Sequence, residues 1–508
     1  MVISFRQQHS MAILVSLLFF PIFLLILFGF NRAQYKKYNY PPSPFKLPFI
    51  GNLHQMGSLP HLSLQALSKK YGPLMLLHVG RTPTLVVSTA EMAEEVLKTN
   101  DLVFSSRPSF YAAKTLLYDC TDVSMAAYGE YWRQVRKICV TELLSVKRVQ
   151  SFAFIRKEEI ANIVKDIRAS CSISDVNITK MFLTLSSSII SRVAFGKKYI
   201  EGDNTGKNTF PDLARELPLL LGAFSVGDLF PLFGYLDVVT GLDARLKRNF
   251  RGLDSFFDQV IEDHLIYKTG DVNDEHKDFV DILLHVQKET TTGVQISKDN
   301  IKAIILDMYV GATGTTATTL EWAMTELIKS PKALVKAQAE IRSVIGRKMK
   351  VEEKDLLQMD YLKYIIKETL RLHPPAPLLI PHESTSRVML KGYVIPPKTT
   401  ILVNASAIGR DPTLWENANE FLPERFVNNP VDFKGNDFQL IPFGAGRRIC
   451  PGISFVNHTM ELALANLLYW FDWEFAGDAN KDIDMSEAPG LAIHKKIPLH
   501  LIPTYHFF

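Results

Sequence analysis

The stretch Phe443-Gly444-Ala445-Gly446-Arg447-Arg448-Ile449-Cys450-Pro451-Gly452 constrains this chain more than any other. It sets a cysteine just ahead of an apolar run, Ser454 to Trp470, that reads as a helix. A helix N-terminus offers unpaired amides and positive potential, and both favour a thiolate. Gly446 and Gly452 permit a tight turn and a close approach of backbone to something flat or bulky. Arg448 brings a planar fork of donors suited to a carboxylate. Phe443 can shield the sulfur. Singly these parts are ordinary, because a free cysteine is usually a small buried hydrophobe and paired glycines usually mark a turn. Together they describe a place where a low-pKa sulfur meets a large group with acidic arms.

The pattern F-x-x-G-x-R-x-C-x-G resembles the cysteine loop of the cytochrome P-450 superfamily of haem-thiolate monooxygenases. The resemblance runs from about Pro41 to the end of the chain and is nearest to the plant microsomal A-type branch. It implies a mainly α fold with small β-sheets, and haem b with Cys450 as the axial ligand of its iron. A thiolate ligand pushes electron density into that iron. NADPH and flavins would then act only through a partner, NADPH-cytochrome P-450 reductase, with a cytochrome b-type protein as a second donor.

The chain has 508 residues, 47% of them hydrophobic, so a sizeable core is available. Its formal net charge of +4 gives no basis for nucleic-acid binding. Cys120, Cys139, Cys171 and Cys450 form neither a disulfide framework nor a zinc spacing, which suits a reducing compartment. Met11 to Phe30 carries no charge over 20 residues. At about 1.5 Å per residue it spans roughly 30 Å, one bilayer core. A cleaved signal peptide would have a shorter apolar region and a small-residue cleavage site. Arg6 precedes the run, and Arg32, Lys36 and Lys37 follow it, so the heavier basic flank should stay cytosolic. The expectation is a single-pass anchor in the endoplasmic reticulum membrane (1–30), a proline-rich hinge (31–52) and a cytosolic catalytic domain (53–508).

Leu74 to Val79 and Thr84 to Ser88 read as strands, Ala90 to Thr99 as a short helix, and Arg107 to Ser124 as a loop. In the family this loop lies over the substrate. Arg156–Ser170, Met181–Ala194, Thr209–Gly222 and Asp243–Tyr267 read as helices, and Gly270–Lys277 as a polar loop. Trp132 and Arg136 are four apart and share a helix face. Alone they describe an ordinary amphipathic helix. Beside the cysteine loop, the resemblance makes them the Trp and Arg that hold a haem propionate, and His382 either meets a propionate or is a surface histidine. Arg133, Lys137, Lys147 and Arg148 would form a basic surface for an acidic flavoprotein reductase.

Ile301 to Ser330 reads as one long helix, interrupted by Gly311-Ala312-Thr313-Gly314-Thr315-Thr316. Small residues inside a helix usually serve close packing. Here they resemble the oxygen-binding notch of the family's distal helix, [A/G]-G-x-[D/E]-T-[T/S]. The chain departs from that pattern twice: Ala312 replaces a glycine, and Gly314 replaces the acid that helps deliver protons to oxygen. Thr315 keeps the alcohol. Asp307 is too far to substitute directly, at about 10 Å along the axis. Glu368 and Arg371 share a face of the Lys363–His373 helix, a weak signal alone; with Arg425 they match the family's structural cluster beneath the cysteine loop.

By family position the pocket for a small lipophilic substrate takes Phe210, Ala312, Leu378, Leu379 and Leu491, with Leu378–Ile380 as a strand and Tyr309 as a polar handle. The resemblance implies oxidation of a plant specialised metabolite, an alkaloid or terpenoid. The altered notch leaves open ring formation, bridge formation or desaturation without net oxygen insertion, and a non-catalytic haem protein from another class.

Overall fold

Lys298–Lys329 is the axis of the molecule. The helix starts in a capping box, with the Asn300 amide donating to Ser297 Oγ (3.2 Å) and the Ser297 amide to Asn300 Oδ1 (3.0 Å). It stops at Ser330, ahead of Pro331. Inside those ends, Ile301–Leu306 and Thr316–Leu327 are buried all round, the pattern of a core helix. Ile178–Phe195 packs along it and ends at Gly196 in the left-handed region (φ 72). That second helix is apolar and long enough to cross a membrane, yet more than half of it is buried inside the protein.

This computed structural model describes residues 38–171, 174–199, 209–267, 277–288, 295–477 and 482–507. The proposed anchor Met11–Phe30, the first part of the hinge and nearly all of the Gly270–Lys277 loop lie outside the described residues. The later part of the hinge is docked on the sheet. The Leu76 amide donates to the Pro42 carbonyl (3.0 Å), and the Asn52 amide group reaches the Pro44 and Phe45 carbonyls.

The architecture is mainly α with small sheets, as expected. Leu74–Val79 pairs antiparallel with Thr82–Val87, which pairs parallel with Thr400–Val403, and His382–Glu383 completes the four strands. The second strand begins at Thr82 rather than Thr84, because Gly80 (φ 59) and Arg81 suffice for the turn. Ala90–Glu94 passes into a wider-wound segment, Glu95–Thr99. Two local expectations fail. The 107–124 stretch contains a short helix, Tyr111–Leu116. Leu378–Ile380 is a turn instead of a strand: Pro374, Pro375, Pro377 and Pro381 remove the amides a ladder needs, and Leu379 sits at φ 54 with its amide on the Ala376 carbonyl (2.9 Å).

Candidate functional site

Cys450 lies just before the helix Ile453–Trp470, which starts close to where the apolar run predicts. Its amide donates to the Phe443 carbonyl (2.9 Å), closing the loop, and the Gly452 amide points at its sulfur (3.4 Å). Gly446 is the residue that permits this turn. Its φ is 65, and a Cβ there would sit 1.9 Å from the Leu97 carbonyl oxygen. Gly452 has ordinary backbone angles, and a Cβ on it would reach within 3.7 Å of the sulfur. Phe443 is half-buried and meets Phe433 edge to face at 5.3 Å. Burial pushes the Cys450 thiol up, against the pull of the Gly452 amide and the Arg136 charge. The helix end alone therefore does not make the thiolate; a metal ion at the sulfur would, since coordination deprotonates a thiol.

Beside the sulfur the structure gathers a cationic group. Arg448 is buried and donates to the carbonyls of Ser105 (2.7 Å) and Ala126 (2.6 Å), with its guanidinium 4.1 Å above the Trp132 ring. Arg136 donates to the Ile449 carbonyl. His382 is buried, with Nδ1 on the Phe104 carbonyl (2.8 Å), so it is no surface histidine. Trp132 spends its one N–H on the Val123 carbonyl (3.0 Å) and here serves as a plate beneath Arg448. Sequence reasoning missed Arg107, which is buried and donates to Ser124, Ile380 and Pro381 carbonyls. It sits in a loop with no motif spacing to announce it. Burial and the neighbouring arginines lower Arg448 to about 8, and burial lowers Arg107 to about 9. Burial and the Arg107 charge hold His382 well below the usual histidine range. Among the described residues none of these three arginines forms a direct ion pair with a carboxylate, although the charges of Asp122 and Asp307 reach Arg107 and that of Asp122 reaches Arg448.

Below the loop, Glu368 is fully buried and takes Arg371 through both carboxylate oxygens (2.7 Å each), Arg425 (2.9 Å) and the Leu422 amide (2.8 Å). Arg371 also ties the Gly409, Ala418 and Glu420 carbonyls. The three residues thus stand together as a strut.

On the long helix, the residues between Ile301 and Leu327 that escape full burial are Asp307 and 310–315; of these, Asp307, Gly311 and Gly314 share one face. A Cβ at Gly311 or Gly314 would meet nothing within 4 Å. Thr315 Oγ1 donates to the Gly311 carbonyl (2.5 Å). Ala312 is half-buried. Phe210 and Tyr309 lie away from that face. Both are buried in an aromatic core, 4.9 Å apart, with Phe195, Phe256 and Phe257. Tyr309 lies about 200° around the helix from Asp307, which explains why it is no polar handle in the notch. Leu379 reaches the cysteine loop at Gly444 (3.8 Å to a Cβ there), Leu378 packs under the sheet, and Leu491 is 45% exposed beside Gly222.

A family model described as Cytochrome P450 matches residues 41–501. Among curated relatives, "Cytochrome P450 71A1" of Persea americana is 61% identical over 501 residues, covering 98% of this chain and all of the relative. "Strychnine-11-hydroxylase" of Strychnos nux-vomica is 48% identical over 505 residues, covering 98% of each chain. "Desmethylyatein synthase" of Sinopodophyllum hexandrum is 46% identical over 486 residues, covering 95% of this chain and 97% of the relative.

Proposed function

The chain belongs to the cytochrome P450 family, in its plant A-type branch, and on that footing we propose how its residues divide the work of a haem-thiolate monooxygenase. The enzyme class, the haem b cofactor and the NADPH-driven reductase partner follow from the family. When bound, haem b supplies the redox chemistry that activates O2. Cys450 would hold the haem iron through its sulfur, and Phe443 and the Gly452 amide would set the polarity around it. Arg107, Arg136, Arg448 and His382 hold the acidic arms of the macrocycle, with Trp132 as a plate. The observation that carries this reading is the cationic group beside the sulfur, in which Arg448 and Arg107 are buried, bonded to backbone carbonyls and in no direct ion pair among the described residues. Glu368, Arg371 and Arg425 keep the loop in place and take no part in the chemistry.

Thr315 is the alcohol at the oxygen-binding notch, and water in the space left by Gly314 carries protons to it. The substrate is a small lipophilic specialised metabolite, an alkaloid or terpenoid, lying between the notch, Leu379 and Leu491. The relatives' names include both a hydroxylase and a synthase, so insertion of one oxygen atom is the leading outcome and oxidative bond formation the second. Arg133, Lys137 and Lys147 are exposed and Arg148 half-exposed, which suits a docking surface for reductase or a cytochrome b-type donor. Met11–Phe30 anchors the protein in the endoplasmic reticulum membrane, with 53–508 in the cytosol.

The test is spectroscopic. Reduced protein with carbon monoxide should give the red-shifted Soret band of thiolate ligation, and Cys450→Ser should abolish it. Persistence of the band in that variant would overturn the assignment. Charge reversal at Lys137 and Lys147 should slow reduction by reductase and flatten its salt dependence; unchanged kinetics would remove the docking surface. Incorporation of oxygen-18 from O2 into product separates insertion from bond formation.

A further inference from the structure

The family's acid is missing at position 314, but two carboxyl groups meet farther along the same face of the helix. Asp307 Oδ2 accepts the amides of Val123 (2.9 Å) and Ser124 (2.8 Å), and its Oδ1 accepts the Ser124 hydroxyl (2.9 Å). Asp122 Oδ2 accepts the Ser124 amide (3.0 Å), the Ser124 hydroxyl (2.6 Å) and the Met125 amide (2.8 Å). Asp122 is completely buried, and its other oxygen, Oδ1, meets no donor among the described residues. The two carboxyls meet at Ser124, whose Oγ lies 2.9 Å from Asp307 Oδ1 and 2.6 Å from Asp122 Oδ2. Two like charges so placed oppose each other, and the Arg107 and Arg448 charges offset that only in part.

The geometry of the helix links this pair to the notch. Gly311 and Gly314 follow Asp307 by four and seven residues, so they fall about 40° and 20° from its direction around the axis. Both are open where a side chain would stand. Asp307, Gly311 and Gly314 therefore share one face of the helix over roughly 10 Å, a length that about three or four hydrogen-bonded waters would bridge. An acid at 314 would stand at the far end of that face; this chain leaves the place clear.

We infer that Asp122 and Asp307 hold one proton between them and act as the proton reservoir of the notch, discharging along the helix face that Gly311 and Gly314 keep open. The inference rests on the reading of this chain as an oxygen-activating P450. Each transfer takes one proton from the neutral carboxyl to the first water, while the last water in line gives one up near Thr315. Solvent then returns a proton to the pair before the second transfer that cleavage of the O–O bond requires. Burial and the Asp122 charge push Asp307 well above the usual carboxylate range, in keeping with a group that stays protonated. The other titratable groups whose fields reach the pair are Arg107, Arg448, Tyr131, Cys120 and Cys139.

Asp122→Asn and Asp307→Asn are suitable probes, because Asn keeps an acceptor for the loop amides and removes the titrating proton. In the full-length haem-loaded protein, infrared spectra should show the carbonyl stretch of a neutral buried carboxylic acid, absent from both variants. If both variants keep every such band, the pair holds no proton and the inference fails. With reductase, NADPH and O2 alone, the hydrogen peroxide released per NADPH should rise in Asp307→Asn, because proton-starved oxygen leaves as peroxide instead of being split to water. Loss of a positioned acid is worth about a hundredfold in rate, so the shift should be large. Adding Gly314→Asp to Asp307→Asn should bring the ratio back to the native value. An unchanged ratio in Asp307→Asn, or no recovery in the double variant, assigns the pair to loop support alone and overturns the proposal. Failure of the carbon monoxide band in the unmodified protein would instead strike the functional reading, and the infrared result would stand apart from it.

Discussion

At Gly446 a Cβ would sit 1.9 Å from the Leu97 carbonyl oxygen, and at Gly409 2.4 Å from that of Arg371. At Gly311 and Gly314 it would meet nothing within 4 Å. The same residue type serves opposite needs on the two sides of one site. Around the sulfur, glycine lets backbone touch backbone, and the loop cannot shift without breaking carbonyl contacts. On the long helix, glycine leaves the face beside Thr315 without side chains. One side is specified by contact and the other by vacancy, so substitutions should act in opposite senses on stability.

The largest effect belongs to the contact side, at the strut below the loop. Glu368→Ala leaves Arg371 and Arg425 buried without their carboxylate and also frees the Leu422 amide. Breaking a buried ion pair from one side costs about 3–5 kcal/mol. The expected outcome is protein that is recovered poorly and without the thiolate Soret band. A folded, haem-binding Glu368→Ala variant with a native melting temperature would show that the loop is held from elsewhere.

Gly446→Ala comes next. A left-handed backbone angle costs a non-glycine residue about 1–2 kcal/mol, and forcing a methyl into a filled space adds about 1–3. Thermal melting should show a loss of about 2–5 kcal/mol with the haem-bound fraction reduced. An alanine tolerated within about 1 kcal/mol would mean that the Leu97 backbone yields, and the contrast between the two sides would lose its stronger half.

The contrast also explains what could be read from the residues alone. Long apolar segments such as Ile178–Phe195 and Lys298–Lys329 were legible to within a few residues, since an apolar run too long for a strand and free of internal proline settles on helix. The cysteine loop was legible because each contact needs a particular residue type. Vacancy was only half legible: two glycines in a helix signal missing side chains, but not whether another element fills the space. Phe210 and Tyr309 were misplaced for a related reason. Adjacent helical positions differ by about 100°, so a shift of two residues turns a pocket residue into core. Leu378–Ile380 was misread because apolar composition suggested a strand while the flanking prolines had already removed its amides. Arg107 stayed hidden because the carbonyls it binds are brought together only by the fold.

The smallest effect should carry the opposite sign. An interior helical glycine is less stable than alanine by about 1 kcal/mol, because it leaves the chain more entropy to lose. Nothing stands near the new methyl at Gly311 or Gly314, so each Gly→Ala change should raise stability by up to about 1 kcal/mol, and the pair should add only if neither disturbs the other. Thermal melting of the two single variants and the double measures this. A loss of stability at either position would mean that the notch is crowded and that glycine there serves packing, as it does at Gly446. A gain in stability with a rise in peroxide released per NADPH would mark the empty space itself as the functional element, since the methyl would then have displaced water without breaking a single protein contact.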